Sequence, residues 1–198
     1  MTIVTFVEIK FNRVLNIKAL LEEFFLAKIL GIDPGSIKTG WGVVDTQNSL
    51  DSASGVIYLE GESTFAARLA RLQTELQKVI ETYKPSSVAI ERVFLGKSAD
   101  SAFKLGHARG VAMAAAGQQH LKVYEYATRH VKKVLTGSGA ATKEQVQFVV
   151  ESLLNKKVRE LDASDALAVA LCHGRELEVE IMINKQMNKQ IKKHEVQL

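Results

Sequence analysis

The sequence predicts an α/β domain with a mixed central sheet, and three observations support this fold class. Residues 28–45, KILGIDPGSIKTGWGVVD, hold two apolar stretches around a Pro-Gly turn, which predicts a hairpin. Downstream, short apolar segments alternate with segments of helical periodicity, a pattern typical of strands joined by helices. Two predicted strands end in a carboxylate. Because the hairpin must be antiparallel whereas helix-connected strands run parallel, the predicted sheet is mixed.

An amphipathic helix and a second acidic strand follow the hairpin. After strand-like residues 55–59, apolar side chains step by three or four positions, which predicts a helix that Ser63 caps and Pro85 stops. The apolar positions of this helix are Phe65, Leu69, Leu72, Leu76, Val79 and Tyr83. The next segment, residues 87–91 (SVAIE), is predicted to be a short buried strand that again ends in a carboxylate.

The second half of the chain continues the alternation. Residues 99–119 are rich in alanine and glycine, so the predicted helix can approach another backbone closely, in the core or across a subunit interface. Residues 123–126 are predicted to form another strand. Thr128 and Thr142 can each cap a following helix, and Gln145 completes a capping box with Thr142.

Composition favours one domain flanked by two short segments. The 198 residues are 46% hydrophobic and 24% charged, which is enough for one sizeable core. We divide the chain into an N-terminal extension (1–27), a core domain (28–175) and a basic C-terminal tail (176–198). The tail is interpreted as a solvated or frayed terminus. Its lysines are Lys185, Lys189, Lys192 and Lys193.

Several functional classes are excluded or left unsupported. No apolar run approaches the roughly 18 residues that span a bilayer, so a membrane protein is not expected. The single cysteine, Cys172, excludes an internal disulfide and a cysteine-based zinc site, which agrees with a cytoplasmic location. The N-terminus is a poor match to a signal peptide. A net charge of +4 permits a polyanionic partner but is weak support by itself.

Four carboxylates are the candidates for chemistry. Asp33 and Glu91 close two predicted strands, and Asp162 and Asp165 share one face at the start of the last helix, which runs through ASDALAVALCHG. If that face packs against the strand ends, each like-charged pair about 4 Å apart costs about 4 kcal/mol at an effective dielectric constant near 20. Such repulsion requires cations. Oxygen ligands suit Mg²⁺ or Mn²⁺, and two ions can support phosphodiester hydrolysis.

Each carboxylate also has an ordinary structural interpretation. Asp33 precedes Pro-Gly, where aspartate is a common turn residue. Asp162 and Asp165 resemble a helix N-cap with an acidic first turn, and Glu91 could mark the edge of a strand. Residue types and spacing alone leave both interpretations open.

Residues 29–173 resemble the RuvC-type Holliday junction resolvases of bacteria. The matching motifs, in order, are ILGIDPGSIKTGWGVVD, VAIERVFLGKSADSAFKLGHARGVA, EYATRHVKKVLTGSGAATKEQVQ and LDASDALAVALCH. The resemblance implies a ribonuclease H-like fold and a metal-dependent endonuclease that resolves four-way DNA junctions in recombination and repair. It implies that Asp33, Glu91, Asp162 and Asp165 bind the catalytic metal, although some members carry histidine where Asp162 stands.

The resemblance also implies three DNA-contacting residues. Phe94 is similar to an aromatic residue that stacks against unpaired bases near the junction centre, where stacking contributes about 1–3 kcal/mol per base. Lys132 and Lys143 resemble basic residues that meet the phosphate backbone. Without the resemblance, Phe94 fits a core position better. Further candidates for the same surface are Lys97, Lys104, Arg109 and Lys133. His107 and His173 fit structural or surface positions, and Cys172 fits a small buried residue on the last helix.

Partners follow from the resemblance in the same way. Family members are homodimers, which agrees with symmetric nicks in two opposed strands, and they act with a branch-migration complex of the RuvA–RuvB type. Residues 106–117 of the Ala- and Gly-rich helix are the candidate dimer interface, although a tightly packed core helix explains the same composition.

Family members usually begin a few residues before the first strand, and this chain has no methionine between Met1 and Met113. Our hypothesis is that translation starts at the codon of Leu26, which the intact mass of the native protein tests. Shorter nucleases of the RuvX or YqgF-like group and sugar-kinase-like or chaperone-like ATPases are rival interpretations. A binding module that has lost its chemistry is a third, and the four intact carboxylates favour an enzyme.

Overall fold

The structure is a computed structural model that describes residues 28–48, 51–92 and 99–195. Its strands are β1 (Lys28–Asp33), β2 (Lys38–Asp45), β3 (Ala53–Tyr58), β4 (Ser87–Glu91) and β5 (Lys122–Tyr126). Its helices are α1 (Phe65–Tyr83), α2 (Ala99–Gln118), α3 (Thr128–Thr136), α4 (Lys143–Leu154) and α5 (Leu161–Glu195). The predicted elements are therefore present, and their boundaries are shifted by two residues or fewer except at the C-terminal end of α5.

The strands form one mixed sheet in the order β3-β2-β1-β4-β5. The hairpin pairs β1 with β2 antiparallel, and β2 pairs with β3 in the same way. The central strand β1 is parallel to β4, which is parallel to β5. The predicted mixed α/β sheet is confirmed, and its parallel half holds both strands that end in a carboxylate.

Side chains alternate between two helical layers along β1. Leu30 and Ile32 belong to the core under α1 and α2, and both are fully buried. Ile29 faces the other way and packs with α3, α4 and α5. Because Gly31 and Asp33 have the same parity as Ile29, they face α5.

Three glycines let α5 lie directly on the sheet. A Cβ at Gly31 would collide with the backbone carbonyl of Ala166, and one at Gly42 would collide with Leu167. A Cβ at Gly40 would meet the carbonyl of Asp162. Gly31 and Gly42 are cross-strand partners, and neither has a side chain. The backbone of α5 therefore occupies the space that two side chains would otherwise fill. This close approach brings the first turn of α5 to the ends of the strands.

The helix caps differ in part from the predicted ones. Thr64, and not Ser63, caps α1 by accepting a hydrogen bond from the amide of Ala67. The N-cap of α3 is Ala127, which makes no side-chain cap, so the cap predicted at Thr128 is wrong. The capping box of Thr142 and Gln145 at α4 is confirmed. The sequence does not distinguish Ser63 from Thr64 as a cap, because both carry a hydroxyl group. The local backbone conformation decides which one caps the helix.

The last helix is longer than the sequence predicts. It continues from Leu161 to Glu195, and Leu177 and Ile181 are buried in the same core as Ile29. The predicted boundary at residue 175 falls inside this helix. Residues 176–195 of the basic tail are therefore helical and not frayed, whereas the exposure of Lys185 agrees with a solvated tail. The predicted N-terminal extension, residues 1–27, lies outside the described residues.

No helix among the described residues is long and apolar enough to cross a membrane. Cys172 is fully buried on α5, as predicted.

Candidate active site

The two strand-borne carboxylates lie side by side because of strand register. Asp33 and Glu91 are the last residues of β1 and β4. These strands are parallel neighbours, and their register pairs Ile32 with Ile90, one residue before each carboxylate. The next side chains therefore meet on the α5 face, where Asp33 and Glu91 are hydrogen-bonded to each other.

The helix-borne carboxylate Asp165 completes this group. A cleft of about 140 Å³ is lined by Asp33, Glu91 and Asp165. Lys132 from α3 and Lys143 from α4 line the same cleft. Five residues that the sequence singles out for catalysis or DNA contact thus share one cavity. Its remaining walls are Thr128, Val131, Val146, Ala168 and Val169.

Asp162 lies beside the cleft and does not line it. It is half-buried in the first turn of α5, where its backbone carbonyl packs against Gly40 of β2. Its charge acts on both Asp165 and Lys143, so it belongs to the same electrostatic environment. Among the four predicted carboxylates, Asp162 is the one nearest the β2–β3 side of the sheet.

Lys143 neutralises part of the acidic group. Its Nζ lies 2.5 Å from Oδ2 of Asp165, whose side chain is 18% exposed. Lys143 is the first residue of α4, directly after the capping box of Thr142 and Gln145. The capping box gives hydrogen-bond acceptors to two backbone amides that have no partner within the helix. It therefore fixes the start of α4 and with it the position of Lys143.

The electrostatics of the site favour an added cation. Burial, followed by the charge of Glu91, raises the pKa of Asp33 from 3.8 to about 9. Burial also raises the pKa of Asp165, against the opposing effect of Lys143. Burial alone would lower the pKa of Lys143, but its hydrogen bond to Asp165 and the surrounding carboxylates hold that pKa above its usual value.

The donor set fits a hard divalent metal. Asp33, Glu91 and Asp165 offer carboxylate oxygens, which suit Mg²⁺ or Mn²⁺ better than softer metals. Within the described ranges, no three acidic, histidine or cysteine side chains already stand in metal-ligand geometry. Asp33 is hydrogen-bonded to Glu91, and Asp165 is hydrogen-bonded to Lys143.

The other predicted contact residues are Phe94, Lys97, Lys104, Arg109 and Lys133. Phe94 and Lys97 are outside the described residues. Lys104 forms an ion pair with Asp100 on α2, and Arg109 forms one with Glu125. These two cations and Lys133 do not line the cleft.

The histidines have structural or surface positions, as predicted. His173 is buried on α5, and its Nδ1 lies 2.7 Å from the hydroxyl of Tyr126. His107 is exposed on α2, where its Nδ1 donates to the carbonyl of Phe103.

Sequence reasoning missed the apolar walls of the cleft and the glycines behind it. Val131 and Val146 fill positions that any amphipathic helix would give to the core. The glycine pattern was visible in the sequence, because Gly40 and Gly42 alternate in a strand paired with one that holds Gly31. That pattern predicts the close approach of another backbone.

Comparisons with known proteins agree with this geometry. The family model described as crossover junction endodeoxyribonuclease RuvC matches residues 29–173. A crossover junction endodeoxyribonuclease RuvC of Bdellovibrio bacteriovorus is 47% identical over 163 residues, which cover 81% of this chain and 97% of that protein. The protein of the same name from Xanthomonas campestris is 51% identical over 75% of this chain and 88% of its own length.

Solved structures give the same result. RuvC of T. thermophilus, solved in complex with a Holliday junction substrate, superposes with a TM-score of 0.72 and 31% identity, covering 78% of this chain and 97% of that one. The yeast mitochondrial Holliday junction resolvase has a TM-score of 0.57 at 12% identity, covering 86% of this chain and 91% of that one, and supports the fold alone. The chain belongs to the crossover junction endodeoxyribonuclease RuvC family of metal-dependent nucleases.

Proposed function

We propose that this chain resolves four-way DNA junctions by hydrolysing phosphodiester bonds in two opposed strands, with Asp33, Glu91, Asp162 and Asp165 as the catalytic metal ligands. The observation that carries this proposal is the cleft in which three of these carboxylates meet two lysines. A carboxylate group alone would repel DNA. The lysines make the same cavity able to accept a phosphate.

The proposed metal is Mg²⁺, with Mn²⁺ as a substitute and two ions per site. When bound, such ions polarise a phosphate oxygen and make a water molecule more acidic. Asp33, Glu91, Asp162 and Asp165 would hold the metal between the ends of β1 and β4 and the first turn of α5. The raised pKa of Asp33 supports this assignment, because a cation is what allows the neighbouring carboxylates to be ionised together.

The basic residues have a separate role. Lys143 is 55% exposed while it holds Asp165, so its ammonium can reach outward to a phosphate without losing its helix anchor. Lys132 projects from α3 into the same cleft. Both are proposed to bind the DNA backbone as point charges, and binding should therefore weaken with salt. Phe94 is proposed to stack on an unpaired base near the junction centre.

The working unit is proposed to be a homodimer. On α2, Ala108, Ala112, Ala115 and Ala116 are buried against the body, whereas Gly106, Gly110 and Gly117 have open space around the position of a Cβ. The open glycines favour contact with a second copy along this helix. Association with a branch-migration complex and a cytoplasmic location complete the proposal.

A nicking assay on a synthetic four-way junction with Mg²⁺ tests this function. Wild type should make paired, symmetric nicks on the junction and leave a linear duplex intact. Asp165→Asn should bind the junction without nicking it. Junction binding by the wild type without any nicks in Mg²⁺ or Mn²⁺ would instead indicate a recognition module.

A further inference from the structure

Lys38 and Tyr58 form an exposed cation–aromatic pair that the site described above does not include. Lys38 begins β2 and Tyr58 ends β3, and the two residues are cross-strand partners. Nζ of Lys38 lies 5.1 Å from the centre of the Tyr58 ring. Tyr58 is 40% exposed, so a large part of its surface is open to solvent beside a positive charge.

This pair lies at the catalytic end of the sheet. Gly40, two residues after Lys38, pairs with Asp33 and packs against the carbonyl of Asp162. The phenol of Tyr58 donates a hydrogen bond to Glu160, just before α5 begins. Gly40 and Tyr58 therefore place the pair beside the start of α5.

The pair and the predicted DNA-contacting lysines lie toward opposite edges of the sheet. Lys38 and Tyr58 are on β2 and β3, at one end of the strand order. Lys132 is on α3, which directly follows β5 at the other end. A strand that enters the cleft past Lys132 and crosses the carboxylates would leave it past Asp162, toward this pair.

The chemistry of the pair suits nucleic acid. Without Lys38, a DNA strand that leaves the cleft on this side would pass Glu160 and Asp162. Both carboxylates would repel its phosphates. Lys38 supplies a positive charge at that point, and every base has a π-face that can stack on an aromatic ring such as Tyr58. The hydrogen bond to Glu160 holds the ring in place, so little conformational freedom remains to be lost on binding.

We infer that Lys38 and Tyr58 form a second DNA contact, on the Asp162 side of the cleft, in which Lys38 binds a backbone phosphate and Tyr58 stacks on a base of the departing strand. The inference rests on the proposed function, because it assumes junction DNA as the ligand. It adds a contact on the side of the cleft away from Lys132.

The test is junction binding across a salt series, without divalent ions, for Lys38→Ala, Tyr58→Ala and Tyr58→Phe. Lys38→Ala should lower the slope of log affinity against log salt by about 1, the loss of one phosphate contact. Tyr58→Ala should weaken binding by about fivefold or more without changing that slope, whereas Tyr58→Phe should weaken it less, because it keeps the stacking ring and loses only the hydrogen bond to Glu160. Lys78→Ala is the lysine control, since Lys78 is exposed on α1, where it forms an ion pair with Glu75.

The outcomes separate this inference from the proposed function. If wild type nicks the junction and Lys38→Ala keeps the wild-type slope, as Lys78→Ala should, the second contact is absent while the function stands. If wild type does not distinguish the junction from duplex, the proposed function itself fails. Thermal unfolding of each variant separates lost contacts from lost folding, and Tyr58→Phe retains the ring while it removes the bond to Glu160.

Discussion

The strand-borne and helix-borne carboxylates reach the site by different physical routes. Asp33 and Glu91 are adjacent because two parallel strands end together, so backbone pairing alone fixes their spacing. Asp165 depends on how closely α5 lies on the sheet and on its ion pair with Lys143. The strand half of the site is set by register and the helix half by packing, which makes the helix half the easier one to displace.

The largest effect is expected from Gly31→Val, which disrupts the packing of α5 on β1. The added side chain would meet the backbone of Ala166, which cannot rotate away. We expect a loss of about 3 kcal/mol or more in the free energy of unfolding, together with loss of nicking. Denaturant unfolding and the junction assay measure both quantities.

Gly174→Ala is the matched control for that substitution. Gly174 lies on α5 against the same strand, but the nearest atom to an added Cβ is Cδ1 of Ile29 at an ordinary 3.5 Å. Alanine should stabilise the helix by about 0.5–1 kcal/mol and leave nicking unchanged. Equal damage from both substitutions would contradict the role assigned to close helix–sheet contact.

Asp33→Asn should remove nicking and yet stabilise the metal-free protein. Folding raises the pKa of Asp33 from 3.8 to about 9, so the folded state is favoured while the group is protonated, below about pH 4. That contribution is lost as the pH rises toward 9. At pH 8 the substitution should therefore raise the free energy of unfolding by about 1–3 kcal/mol.

Unfolding of both proteins at pH 4 and pH 8, with a chelator present, measures this difference. The gain from Asp33→Asn should be larger at pH 8 than at pH 4. If the gain in the free energy of unfolding does not depend on pH, the burial of Asp33 next to the charge of Glu91 is not its source.

Lys143→Ala tests the helix half of the site. Removing the cation should slow nicking about 100-fold, since a positive charge next to a reacting phosphate stabilises the transition state. Lys157→Ala removes another exposed lysine that holds a carboxylate, Glu151, and should leave the rate unchanged. Single-turnover nicking rates compare the two, and equal rates would exclude a role for Lys143 in the cleft.

The smallest effect is expected from the caps. Thr142→Ala should cost about 1 kcal/mol and lower the Tm by about 2–4 °C, with a severalfold slower nicking rate because α4 presents Lys143. Thr64→Ala breaks a comparable cap on α1, away from the cleft, and should lower the Tm to a similar extent without slowing nicking. A similar rate loss in both would point to general destabilisation.

The same difference between the two halves explains what could be predicted from sequence. The strand-borne carboxylates follow from apolar segments that end in Asp33 and Glu91, and the mixed sheet follows from the hairpin. The position of α5 depends on glycines whose partners are distant in sequence, so the approach of Asp162 to Gly40 required the structure. The length of α5 was also missed, because Leu177 and Ile181 are buried in a region that composition marks as polar.

The most direct test of the account is Mn²⁺ binding, measured by electron paramagnetic resonance on the wild type, Asp33→Asn and Asp165→Asn. If strand and helix carboxylates form one metal centre, each single substitution should weaken Mn²⁺ binding at least tenfold, as loss of a charged ligand does. Wild-type affinity in Asp165→Asn, with binding lost only in Asp33→Asn, would show that the helix half holds no metal and would contradict the account.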